Sequence, residues 1–190
     1  MKRIHLLLAV LALPATVVAQ GQVIFANTST TLFMTADRSG ANQQLMSGVN
    51  AFRIGLYIAP PGTSDPSLFT LTGVATNSSV VPGRFSHPES PYTIAGNNGT
   101  PIAFQIRAWV AASGATYESA RYRGWSAIGS VTPAVGGAPA PNLFGSGPGQ
   151  LATGIVIFVP EPSTWALVAL GILIIFYCRK KARGKSEVIS

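Results

Sequence analysis

Cysteine is all but missing. The single one, Cys178, lies near the C-terminus, so no disulfide can form within the chain. Residues 20–160 contain no lysine, one histidine (His87) and four acids: Asp37, Asp65, Glu89 and Glu118. One histidine and no cysteine exclude zinc sites of the usual spaced-ligand kind from that stretch, and no metal or cofactor is expected. Nor is there the charge excess of a nucleic-acid binder. The formal +7 divides into +2 before residue 20, +2 over residues 20–160 and +3 beyond. The high pI thus belongs mostly to the two ends, and no nucleic-acid partner is expected.

What is there starts with the N-terminus. Met1-Lys2-Arg3 is basic, and an apolar run from Leu6 to Val18 follows, broken by Pro14 and Thr16. Val17 and Ala19 place small residues at the −3 and −1 positions of a cut between Ala19 and Gln20. This is the three-part layout of a secretory signal peptide, spanning residues 1–19 and handled by signal peptidase. An apolar run this short does not suit a retained membrane span. The exported chain is therefore expected to begin at Gln20, with one domain over residues 20–158, long enough for its own core.

Within that domain, alternation with a period of two marks the strands. Phe52, Ile54, Leu56 and Ile58 share one face, with Arg53, Gly55 and Tyr57 on the other. Ile102, Phe104, Ile106, Ala108 and Val110 oppose Gln105, Arg107 and Trp109 in the same way. Weaker strands are expected at residues 22–26, 31–35, 68–75, 126–132 and 154–159. Turn-rich connectors fall at residues 59–65, 82–91, 96–101 and 133–149, and residues 116–123 suit a helical turn or two. Short strands punctuated by glycine and proline predict an all-β fold, an antiparallel β-sandwich.

Catalytic parts are scarce. His87 lies in the turn Ser86-His87-Pro88-Glu89, and a triad drawn from it with a serine and Asp37 or Asp65 lacks a G-x-S-x-G elbow. A hydrolase built on His87 is thus the weaker reading, and a non-enzymatic chain the stronger. The segment 37–42 only loosely resembles a calcium loop, since it lacks the repeated acids. Asn27-Thr28-Ser29, Asn77-Ser78-Ser79 and Asn98-Gly99-Thr100 match the N-glycosylation pattern. Tyr117, Tyr122, Trp109 and Trp125 would serve either as core aromatics or as a sugar-stacking platform, which would make polysaccharide a further partner. Arginine without lysine suits planar stacking or bidentate pairing with carboxylates or sugars; a G+C-rich coding sequence produces the same bias.

The C-terminal run is the most informative. Val159-Pro160-Glu161-Pro162-Ser163-Thr164 is stiffened by two prolines, and Ser163 or Thr164 can cap a helix. Residues 165–178 are apolar, with Trp165 and Tyr177 placed as interfacial anchors. Arg179, Lys180, Lys181, Arg183 and Lys185 follow as a basic stop that favours the cytoplasmic side, and residues 186–190 end the chain. From Ser163 to Cys178 a helix would measure about 24 Å against a hydrocarbon core of about 30 Å, a deficit that snorkelling cations can bridge. The span is sufficient to hold the chain in a membrane, though shorter than most.

These three parts in this order, over residues 159–185, resemble the PEP-CTERM sorting signal of exported bacterial proteins. The resemblance implies recognition by exosortase, a membrane-embedded transpeptidase, with Pro160, Glu161 and Pro162 as substrate positions. It further implies an inner-membrane intermediate, then release to the cell surface or extracellular matrix. The alternative is a permanently anchored single-pass protein whose β domain binds a glycan or other ligand.

Overall fold

The computed structural model describes residues 20–37, 39–40 and 42–159, together with Ile172, Ile174 and Ile175. The expected signal peptide, most of the expected membrane helix and the basic stop lie outside the described residues. Ile172, Ile174 and Ile175 are helical and exposed. Among the described residues no helix is long and apolar enough to cross a membrane.

Among the described residues there are ten strands: β1 (Gly21–Val23), β2 (Met34–Ala36), β3 (Gln43–Leu45), β4 (Phe52–Ala59), β5 (Thr70–Asn77), β6 (Phe85–Ser86), β7 (Tyr92–Ile94), β8 (Ile102–Val110), β9 (Arg123–Val131) and β10 (Val156–Phe158). The described helix in this region amounts to two 3₁₀ turns, Pro66–Leu68 and Ala111–Ser113. The main sheet runs β6-β5-β4-β8-β9, antiparallel throughout. A three-stranded sheet, β10-β2-β3, and a two-stranded one, β1-β7, complete the set. The fold is all-β with mainly antiparallel sheets. One pair departs from the antiparallel expectation: β10 joins β2 in parallel, Val156 opposite Met34 and Phe158 opposite Ala36. A strand arriving from so far along the chain is not bound to the hairpin geometry that forces neighbours antiparallel.

The two long central strands carry the predicted faces. Ile54, Leu56, Phe104, Ile106 and Ala108 are fully buried and form one core with Val23, Phe25, Phe33, Ile94, Leu143, Ile155 and Ile157 from the smaller sheets and their connections. Glycines make room for the large members. A Cβ on Gly129 would lie 2.4 Å from the Phe104 ring and 2.7 Å from the Gly149 carbonyl oxygen, and one on Gly73 would lie 2.6 Å from the Tyr92 ring.

Several connectors hold more structure than glycine and proline suggest. The 82–91 stretch contains β6, an edge strand of two residues. The 133–149 stretch forms bridges from Ala134 to Gln22 and from Asn142 to Ile24, and sends Leu143 and Phe144 into the core. The 116–123 segment holds one turn, with the Ala120 amide donating to the Thr116 carbonyl at 3.0 Å, before β9 begins at Arg123.

Buried asparagines tie the loops together. Asn27 donates through Nδ2 to the carbonyls of Thr31 and Gly83, each at 2.8 Å, and its Oδ1 accepts from the Phe85 amide. Asn77 accepts from the Phe52 amide and donates to the Gly48 carbonyl. At 2% and 5% exposure, with their amides committed to backbone, Asn27 and Asn77 are unsuited to carry a glycan; Asn98 is exposed.

Candidate functional site

Two regions bear on function: the start of the C-terminal tail and the outer face of the main sheet.

The tail leaves the domain without a spacer. β10 ends at Phe158, the Val159 amide donates to the Ala36 carbonyl at 2.8 Å, and Pro160 follows at once. Val159 packs against the core while Phe158 is exposed. The remaining sorting residues, Pro160, Glu161, Pro162, Ser163 and Thr164, the anchors Trp165 and Tyr177, and the basic residues Arg179, Lys180, Lys181, Arg183 and Lys185 lie outside the described residues, as do Ala19 and the chain before it.

On the outer face of the main sheet the polar side of β8 meets two covering turns. Arg107 is buried there. Its guanidinium sits 4.2 Å from the centre of the Tyr57 ring and 5.3 Å from that of Tyr117, held between two π faces. Its Nε donates to Gln105 Oε1 at 2.9 Å, Nη2 donates to the Pro66 carbonyl, and Nη1 lies 3.9 Å from Glu118 Oε1. The Tyr57 hydroxyl donates to the same carboxylate oxygen. Burial, followed by the nearby Glu118 charge, pushes the Tyr57 pKa up to about 12. Burial also raises Tyr117.

Each cover has a local cause. Asp65 caps the 3₁₀ turn by accepting from the backbone amide and hydroxyl of Ser67, which holds its carboxyl below the usual range. Arg123 Nη1 donates to the carbonyls of Tyr117 and Glu118, fixing the opposite turn.

A bulge then shapes the edge. The β8–β9 register runs Gln105 opposite Ile128 and Arg107 opposite Trp125, so Ser126 and Ala127 together oppose Ile106. Ser126 stabilises the irregularity: its Oγ accepts from the Ile106 amide and its carbonyl accepts from Gln105 Nε2. The extra residue leaves Trp125 and Ile128 both exposed although they are three positions apart. Trp125 is 63% exposed and, with Pro66, Ser67, Gln105, Arg107 and Tyr117, lines an open cleft of about 330 Å³.

The four aromatics considered for a sugar platform therefore separate. Trp125 and Tyr117 line the cleft. Trp109 is buried, with its Nε1 unpaired among the described residues and its ring edge-on to Tyr117. Tyr122 packs against the core on the other side of the sheet. Gln105, Ser67 and Pro66 were not singled out by sequence, and only the alternation of β8 hinted at Gln105.

His87 is elsewhere, and among the described residues its ring bonds to the Glu89 backbone rather than to a serine. Its ring stacks on Phe25 and meets Tyr92 edge-on at 4.5 Å, and its Nδ1 accepts from the Glu89 amide. Among the described residues no group of three His, Cys, Asp or Glu side chains is placed to hold a metal.

The family model described as the PEP-CTERM protein-sorting motif matches residues 158–181. The chain carries that sorting motif, which marks it as an exported protein sorted by way of the membrane. The match starts one residue earlier than expected, at Phe158, and stops at Lys181, short of Arg183 and Lys185. No curated protein and no solved structure matches the chain.

Proposed function

We propose that the chain is a non-enzymatic cell-surface or extracellular-matrix protein whose β-sandwich domain is cargo for its sorting tail. Pro160, Glu161 and Pro162 are read by an exosortase-type membrane transpeptidase while residues 165–178 hold the chain in the inner membrane and the basic stop fixes its orientation. The observation that carries this reading is the sorting motif beginning at Phe158, on the last strand of the domain. Five residues lie between Val159 and Trp165, and the six steps across them reach about 20 Å at full extension, so before release the domain stays close to the bilayer. The packing of His87 on Phe25 and Tyr92 supports a structural rather than a catalytic role for that residue.

Intact mass of the protein recovered from surface and medium fractions tests the reading. A mature form lacking residues 165–190 is expected, and Glu161→Ala should leave the tail attached and the protein in the membrane fraction. A retained tail in the wild-type surface fraction would mean a permanent anchor instead. Unchanged mass and destination on Glu161→Ala would remove the proline motif from the account altogether.

A further inference from the structure

We propose that the cleft between Trp125, Tyr117 and the Pro66–Ser67 turn binds a neutral sugar, as one pyranose unit of a glycan. The proposal stands on the domain alone and does not depend on how the tail is processed.

Exposure supplies the first argument. Burial of a large aromatic side chain is favourable, and Trp109 on the neighbouring strand is 2% exposed while Trp125 is 63% exposed. A bulge of two residues, supported by hydrogen bonds that Ser126 accepts from the Ile106 amide and Gln105 Nε2, holds Trp125 at the cleft. Bulges are commonly placed where a strand must re-aim a side chain toward a site.

The remaining lining supplies the second. Gln105 and Arg107, 3% and 8% exposed, form an ordered polar floor: they bond to each other and to the Ser126 and Pro66 carbonyls, and the amide of Gln105 and the five N–H groups of Arg107 have more capacity than these bonds use. Ser67 adds a hydroxyl at the rim and Tyr117 a second aromatic wall. A pyranose presents an apolar face of C–H groups and an edge of hydroxyls that both donate and accept. An indole beside a fixed fork of donors and an amide matches both. The volume of about 330 Å³ lies at the small end of the range for small-molecule sites, about 300–1,000 Å³.

Charge decides between neutral and anionic ligands. Arg107 is countered by Glu118 at 3.9 Å and is shared between two aromatic faces. Arg123 is engaged with the Tyr117 and Glu118 carbonyls, and the Asp65 carboxylate stands next to Pro66 and Ser67. These two cations and two carboxylates balance in formal charge, which favours a neutral ligand over a phosphate or uronate.

The test uses the full-length protein in detergent micelles on an array of immobilised neutral and uronic-acid oligosaccharides, followed by titration of the strongest neutral oligosaccharide. Saturable binding with a blue shift of tryptophan emission is expected. Trp125→Ala should weaken binding about tenfold or more, roughly 1.4 kcal/mol, whereas Trp125→Phe keeps most of the affinity. Trp125 is exposed, so the thermal midpoint of either variant should stay near that of the parent. Binding to no neutral oligosaccharide, equal affinity in Trp125→Ala, or preference for the uronic acids would each overturn the proposal.

Discussion

The Val159 amide donates to the Ala36 carbonyl at 2.8 Å, which pins the chain to β2 one residue ahead of Pro160. Everything the domain needs for its core therefore lies before the sorting prolines. Ile155 and Ile157 are 1% and 0% exposed, whereas Phe158 is exposed.

Truncation should follow that boundary. A chain ending at Val159 is expected to melt within a few degrees of the full-length protein. One ending at Gly154 loses two buried isoleucines and β10, and should fail to fold cooperatively. Ile157→Ala alone should cost about 2–5 kcal/mol in urea denaturation. Equal stability of the two truncated chains would contradict the placement of β10 in the core.

The two buried asparagines make a second case. Asn27→Ala removes three hydrogen bonds and leaves the Thr31 and Gly83 carbonyls and the Phe85 amide without their partner, so a loss of about 2–4 kcal/mol is expected. In a host that glycosylates, peptide mass mapping should find Asn27 and Asn77 unmodified. A glycan on either would be incompatible with these contacts.

Alkaline titration probes the Arg107 cluster. The Tyr57 pKa is about 12 in the folded protein against an ordinary value of 10.0, so the folded state holds that proton more tightly than the unfolded chain does. The associated stability is complete below pH 10 and falls as pH rises toward 12. Tyr57→Phe should flatten this part of the stability–pH curve; a curve of unchanged slope would place the effect elsewhere.

Gly129→Ala offers a local test of the core. The added methyl meets the Phe104 ring at 2.4 Å and the Gly149 carbonyl at 2.7 Å, and neither can withdraw without moving β8 or the 145–149 turn. A cost of about 1–3 kcal/mol is expected from thermal melts, whereas Gly62→Ala, which meets nothing within 4 Å, should cost only the strain of its φ of +82°.

Much of the main sheet could be read from the sequence because β4 and β8 are long and turn an apolar face to the core, with Ile58 and Val110 at its partly buried ends, while the opposite face of each carries polar, aromatic or glycine residues, so period-two alternation speaks clearly. Their predicted faces and the position of Arg107 opposite Ile106 follow from that pattern alone. β3, β6 and β7 could not be read: they have two or three residues each, β3 is exposed throughout, and β6 lies among prolines. The candidate cleft was half legible. Alternation places Trp109 and Arg107 on the same face, but the Tyr117 ring that meets Trp109 edge-on, and the Pro66 carbonyl that accepts from Arg107, arrive on turns from outside the sheet, while Trp125 stays open. The Ser126–Ala127 bulge likewise has no mark in the residue pattern. The tail was legible because its chemistry is written in consecutive residues and needs no folding partner.

The parallel pairing of β10 with β2 also sets an order of events. An exported chain emerges from its N-terminal side, so β2 waits outside for a neighbour encoded some 120 residues later, directly ahead of the tail. Until that neighbour clears the membrane, the side of β9 around Gly124, where a Cβ would lie 2.7 Å from the Val156 oxygen, is bare. On the proposed reading of the tail, closure of the domain and arrival of the sorting prolines at the bilayer surface become nearly one event, and an enzyme that reads the prolines would meet a body that has only just finished folding.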